Sequence, residues 1–124
     1  MRKLSLLLAL SLATVPALAD TTIAPGQRTT VMGSGTIATG GTFQSVMATD
    51  LDRTGCTIQN TTTSDKMYVY LGATASATTS NSFQVPAGGF FYCGAGGNSA
   101  IAITDNVAIT MPTTSDTFVF SFQH

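Results

Sequence analysis

The stretch RTGCTIQNTTTSDKMYVYLG, residues 53–72, decides the fold class. Cys56 and Ile58 alternate with Thr57 and Gln59; further on, Met67, Val69 and Leu71 alternate with Tyr68 and Tyr70. Successive side chains of a strand point to opposite faces, so each run is a strand with one apolar face. The TTTSD corner between them is rich in residues that hydrogen-bond their own backbone and so favour turns. Two strands and a corner predict a disulfide-bearing hairpin at the edge of a sheet, with Cys56 on its inner side.

The same period runs outward in both directions. Strands are expected at Gln27–Gly33 and Gly41–Ala48, divided by GSGTIATGG (33–41), and then at Thr54–Asn60 and Lys66–Leu71. Ser82–Val85 follows, stopped by PAGG (86–89), and then Gly89–Cys93, Ala100–Thr104, Val107–Thr110 and Thr117–Gln123. In the last run Phe118, Phe120 and Phe122 share one face. Eight or nine short strands with no helical period predict an all-β fold, an antiparallel β-sandwich or jelly-roll-like barrel. The inner faces would carry Cys56, Ile58, Met67, Val69, Leu71, Phe91, Cys93, Ile101, Ile103 and the three phenylalanines. ATASATTSNS (73–82) reads as an exposed loop, and GAGGNS (94–99) as a hairpin loop without the Lys-Ser/Thr ending of a phosphate cradle.

Composition agrees. Threonine supplies 22 of the 124 residues and glutamate none, whereas a helical protein builds its exposed faces from Glu and Lys. At the N-terminus, Met1-Arg2-Lys3 is a cationic lead, Leu4 to Leu12 an apolar run, and Ala17-Leu18-Ala19 a small-residue cleavage site. That order predicts a signal peptide over 1–19, its helix too short for a comfortable membrane span. One domain would then occupy 20–124, with no integral span after cleavage. Three cationic residues, Arg28, Arg53 and Lys66, would face six aspartates, a net charge of −3. Without a basic patch, binding to nucleic acid loses its electrostatic driving term, and anionic membrane surfaces are disfavoured for the same reason.

Cys56 and Cys93 are an even count in an exported chain and read as a disulfide. Catalytic chemistry is hard to assemble. The only histidine is His124, at a terminus expected to be mobile, so no Ser-His-Asp or Cys-His arrangement forms in ordinary fashion. Asp50 and Asp52, in TDLDR, read as a solvated turn, with a weak metal site as the alternative. Asp105-Asn106 reads as a hairpin turn, and the Asn60-Thr-Thr glycosylation pattern as a chance match. No enzyme and no cofactor are expected.

RTGCTIQNTT (53–62), MYVYLGATASA (67–77) and SFQVPAGGFFY (82–92), preceded by GSGTIATGGTFQSV (33–46), resemble small β-sandwich accessory proteins of tailed-phage particles. The resemblance covers roughly residues 31–110. It implies a virion decoration, head-fibre or tail-associated module that works by packing. The signal peptide and disulfide depart from that pattern, since virion proteins assembled in the cytosol need neither. A second reading is an exported pilin-like or cell-surface assembly or adhesion subunit, whose residues 20–32 would be a donated strand; Pro25-Gly26 breaks the alternation this needs.

If Met67, Val69 and Cys93 face the core, then Tyr68, Tyr70 and Tyr92 face outward. Three outward tyrosines would form an amphipathic patch for a protein or glycan surface, whether a phage particle or a copy of the chain itself. Cross-strand pairing that merely steadies the sheet is the alternative.

Overall fold

The computed structural model describes residues 29–94 and 104–124. Eight strands lie among them: β1 (Thr30–Thr36), β2 (Gln44–Met47), β3 (Gly55–Asn60), β4 (Met67–Leu71), β5 (Phe83–Val85), β6 (Phe90–Gly94), β7 (Val107–Thr110) and β8 (Thr117–Gln123). They form two four-stranded antiparallel sheets, ordered β1-β8-β3-β6 and β2-β7-β4-β5. Two interleaved Greek keys with this order are a jelly roll, as the sequence pattern leads one to expect. The signal-peptide segment and most of the strand expected at Ala100–Thr104, with Ile101 and Ile103, lie outside the described residues.

One expectation is corrected. β3 and β4 do not form an edge hairpin: each is an interior strand, and they belong to opposite sheets. The TTTSD corner therefore arches across the core from one layer to the other. The Pro86–Gly89 turn does the same for β5 and β6. There the Gly89 N–H donates to the Pro86 carbonyl at 2.9 Å, and Gly88 takes the left-handed conformation (φ 71°) that its missing Cβ permits.

The core is the interleaved inner faces. Ile58, Met67, Val69, Val107 and Ile109 lose all contact with solvent, and Ile37, Met47, Val85, Met111 and Phe118 complete the layer. Each such side chain contributes about 1.5–3 kcal/mol on burial. Leu71, Phe120 and Phe122 pack against this layer from partly exposed positions. β7 is covered on both faces, since Ala108 and Thr110 are buried as completely as Val107 and Ile109.

β1 runs three residues further than the glycine-rich GSGTIATGG segment suggests. A Cβ on Gly33 would lie 2.5 Å from Phe120 Cζ, and one on Gly35 2.6 Å from Phe118 Cζ. These glycines are strand residues whose empty inner positions seat the two phenyl rings of β8. Glycine in a strand commonly marks such a close approach.

Candidate functional site: an uncharged sheet face and an open flank

The sheet β1-β8-β3-β6 has its outer face turned away from the core. In β6, Phe91 and Cys93 point inward and are buried, so Phe90 and Tyr92 point outward, 50% and 66% exposed. Their rings stack, with centroids 6.1 Å apart. Across the face, Tyr92 stands opposite Thr57 and Phe90 opposite Gln59. Further along, Met32 on β1 stands opposite Ser121 on β8 and is 80% exposed. No outward residue of these four strands carries a charge. Such a face offers dispersion, aromatic contact and hydroxyl or amide hydrogen bonds to whatever lies on it.

The disulfide sits directly beneath it. Cys56 and Cys93 are register partners on β3 and β6 and are bonded, with Cα atoms 4.9 Å apart. The bond ties the edge strand β6 to its neighbour at the position next to Tyr92.

The three tyrosines are not brought together. Tyr68 and Tyr70 lie on β4, in the other sheet, so their outward side is the opposite face of the molecule from Tyr92. Both are half-buried, and they stand opposite Thr110 and Ala108 of β7, the two small residues that are covered on that outer face. Strand alternation fixes in or out but not which sheet. The aromatic partner of Tyr92 is Phe90, the neighbouring outward residue of the same strand.

At the β1 and β2 flank the described residues leave the sandwich open. A cleft of about 380 Å³ is lined by Val31, Val46, Phe120 and Phe122, with Asp50 and Arg53 at one end. At the opposite flank, Phe83 of β5 is 49% exposed and touches the Phe91 ring, centroids 5.2 Å apart.

Arg53 is buried although sequence reading treats it only as one of three cations. Its guanidinium donates to the Ala48 carbonyl at 3.1 Å and to the Asp105 carbonyl, closing two loops over it. Burial pulls its pKa down, while the nearby Asp50 and Asp105 carboxylates oppose that shift. Asp50 accepts from the Asp52 N–H at 3.0 Å, and its Oδ2 lies 3.2 Å from the His124 Nδ1. The Asp50 carboxylate is thus engaged by a local turn and the chain terminus. Among the described residues, no group of three or more His, Cys, Asp or Glu side chains is placed to hold a metal. The His124 N–H donates to the Thr29 carbonyl at 3.1 Å, and its ring meets Phe122 edge-on.

Asn60, the residue of the glycosylation pattern, has no solvent exposure. Its amide nitrogen donates to the Asp65 and Val85 carbonyls, and its oxygen accepts from the Thr62 N–H and hydroxyl. Both amide hydrogens are used within the fold.

No family model and no curated protein matches the chain. Among solved structures, a Bacillus endospore appendage protein, from a family described as disulfide-linked pili, is similar at 15% identity and a TM-score of 0.47. The match covers 79% of this chain and 86% of that one. A likeness at that level assigns neither family nor function. No described helix is long and apolar enough to cross a membrane.

Proposed function

We propose that the chain is an exported, non-enzymatic structural module that works by packing against other macromolecules. The carrying observation is the uncharged outer face of the β1-β8-β3-β6 sheet, with Phe90 and Tyr92 projecting from it and a disulfide bracing the strand that bears them. A face of this composition favours a protein or glycan partner over nucleic acid, which needs cationic side chains. The disulfide supports an oxidising compartment and hence export through the 1–19 signal peptide, leaving one domain over 20–124. The phage-accessory resemblance narrows the role to a particle decoration or fibre module. A cell-surface assembly subunit is the second reading, favoured by edge strands β1 and β6, each with a single strand neighbour among the described residues.

The test is mass spectrometry of the natural protein from periplasm, medium and density-banded particles. A chain beginning at Asp20 with Cys56 and Cys93 oxidised is expected outside the cytoplasm. A chain beginning at Met1 and reduced would overturn the export reading; enrichment in banded particles would select the virion role.

A further inference from the structure

We infer that the partner of this module is a second copy of the same chain, joined front to back, with β6 of one copy pairing with β1 of the next. The inference rests on the structural-module reading above and specifies what the module packs against.

The two sheets differ in how their edges are protected. Exposed edge strands invite pairing, and proteins blunt them with bulges, proline, charge or shortness. In the β2-β7-β4-β5 sheet both edges are blunted. β2 carries a register shift between Ser45 and Met47, and β5 is three residues long and runs straight into Pro86. In the β1-β8-β3-β6 sheet neither edge is. β1 (TVMGSGT) and β6 (FFYCG) hold no proline, no charge and no bulge, and each has a single strand neighbour among the described residues. The Cys56–Cys93 bond moreover ties β6 to β3 on the inner side and leaves its outer edge free of any covalent tie.

Direction is the second observation. β1 is antiparallel to β8, β8 to β3, and β3 to β6, so the two bare edges run in opposite directions. A copy placed alongside in the same orientation therefore meets β6 with an antiparallel β1, and the alternation continues unbroken. Pairing β1 with β1, or β6 with β6, instead requires a two-fold rotation and leaves the unlike edges unused.

The flanks supply the third. Gly33, Phe120, Ile58 and Phe91 share one row across the sheet. Side-by-side placement brings the exposed Phe83 beside Phe91 toward the neighbour's open cleft, at the height of its Phe120. Among the described residues the apolar layer between the sheets is thus open at both flanks, and the joint makes it continuous. On the outer face the same placement sets Phe90 and Tyr92 beside Met32 of the neighbour, a cross-strand aromatic–thioether contact. A joint between unlike surfaces does not close on itself unless its rotation divides a full turn. Because sheets twist, successive copies are rotated, giving a helical filament or a ring.

The experiment uses the oxidised, exported chain and two outer-face variants, Met32→Lys on β1 and Tyr92→Lys on β6, with masses measured by sedimentation velocity and assemblies viewed by electron microscopy. Near-ultraviolet circular dichroism and an intact disulfide certify that each variant is folded. Wild-type chain is expected to form species larger than a dimer, and each variant alone to be monomeric. An equimolar mixture of the two is expected to give dimers and nothing larger, because only one compatible pair of edges remains. A wild-type chain that stays monomeric at its solubility limit would overturn the inference. So would a closed dimer abolished by only one variant and not restored by mixing. Neither result bears on export, which the fractionation above decides separately.

Discussion

The side-chain amide of Asn60 on β3 donates to the Val85 carbonyl on β5 at 3.2 Å, a hydrogen bond that joins the two sheets through a residue with no solvent exposure. The same side chain holds the Asp65 carbonyl and the Thr62 N–H, so one residue fixes the arch between β3 and β4. Asn60→Ala removes that partner from the Val85 carbonyl and the Thr62 N–H, while the Asp65 carbonyl keeps the Thr62 hydroxyl, and each buried orphan costs about 1–3 kcal/mol. Urea denaturation should show a loss of about 3 kcal/mol or more. A loss below about 0.5 kcal/mol, the size of an ordinary surface change, would mean water replaces the amide.

The paired glycines of β1 differ in how much their neighbours can yield. Phe118, over Gly35, is buried; Phe120, over Gly33, borders the open cleft. Overpacking costs about 1–3 kcal/mol. Gly35→Ala should therefore lower the melting temperature more than Gly33→Ala, where the ring can swing into the cleft. The reverse order would show that the cleft wall is rigid.

Cys56 and Cys93 are 37 residues apart in sequence, and a loop of that size contributes about 4 kcal/mol in the chain-entropy account. Replacing both by Ala should remove an amount of that order. Because the bond pins an edge strand, hydrogen exchange should quicken first in Phe90–Gly94 and leave β7 protected. Uniform acceleration across both sheets would indicate that the bond acts only through the unfolded chain.

Burial pushes the Asp116 carboxyl up, and the adjacent Asp65 carboxylate adds to the shift. A carboxyl that binds its proton more tightly folded than unfolded makes stability fall as pH rises through its folded pKa. Acidification from neutral pH should thus recover stability from this site, although other carboxylates can offset it. Asp116→Asn should be more stable than wild type at neutral pH, and the difference should vanish below the pKa of an unfolded aspartate. Measurement of both proteins by thermal melts from neutral to acidic pH checks this; a variant less stable throughout would show that the ionised Asp116 is favourable.

The strands of this protein are legible because period two is written into MYVYL and TFVFSFQ. Their assignment to sheets is not, since Tyr68 and Tyr92 carry the same outward signal from opposite faces of the molecule. Gly33 reads as the end of a strand and Gly35 as part of the dividing segment after it; only the rings of Phe118 and Phe120 reveal that the missing side chains are being filled. Arg53 could not be placed in the core from its neighbours in sequence, because one of the carbonyls that accept from it belongs to Asp105, remote along the chain. Val107 and Ile109 escape the predicted inner-face set because a four-residue strand is too short to show a period, yet as an interior strand it is sealed on both sides. For the candidate site, Tyr92 and the cysteines were visible, while Phe90 and the cleft needed the register.

The backbone bond between His124 and Thr29 places the start of β1 and the end of β8 side by side. A short peptide could therefore splice these two points, with new ends opened in the Gly72–Ser82 loop, and the eight strands would keep every neighbour they have among the described residues. Equally, a host protein could carry this sandwich in one of its surface loops, entering at Thr29 and leaving at His124 through a single doorway, as domain insertions usually require. The architecture lends itself to being worn as a module on another chain.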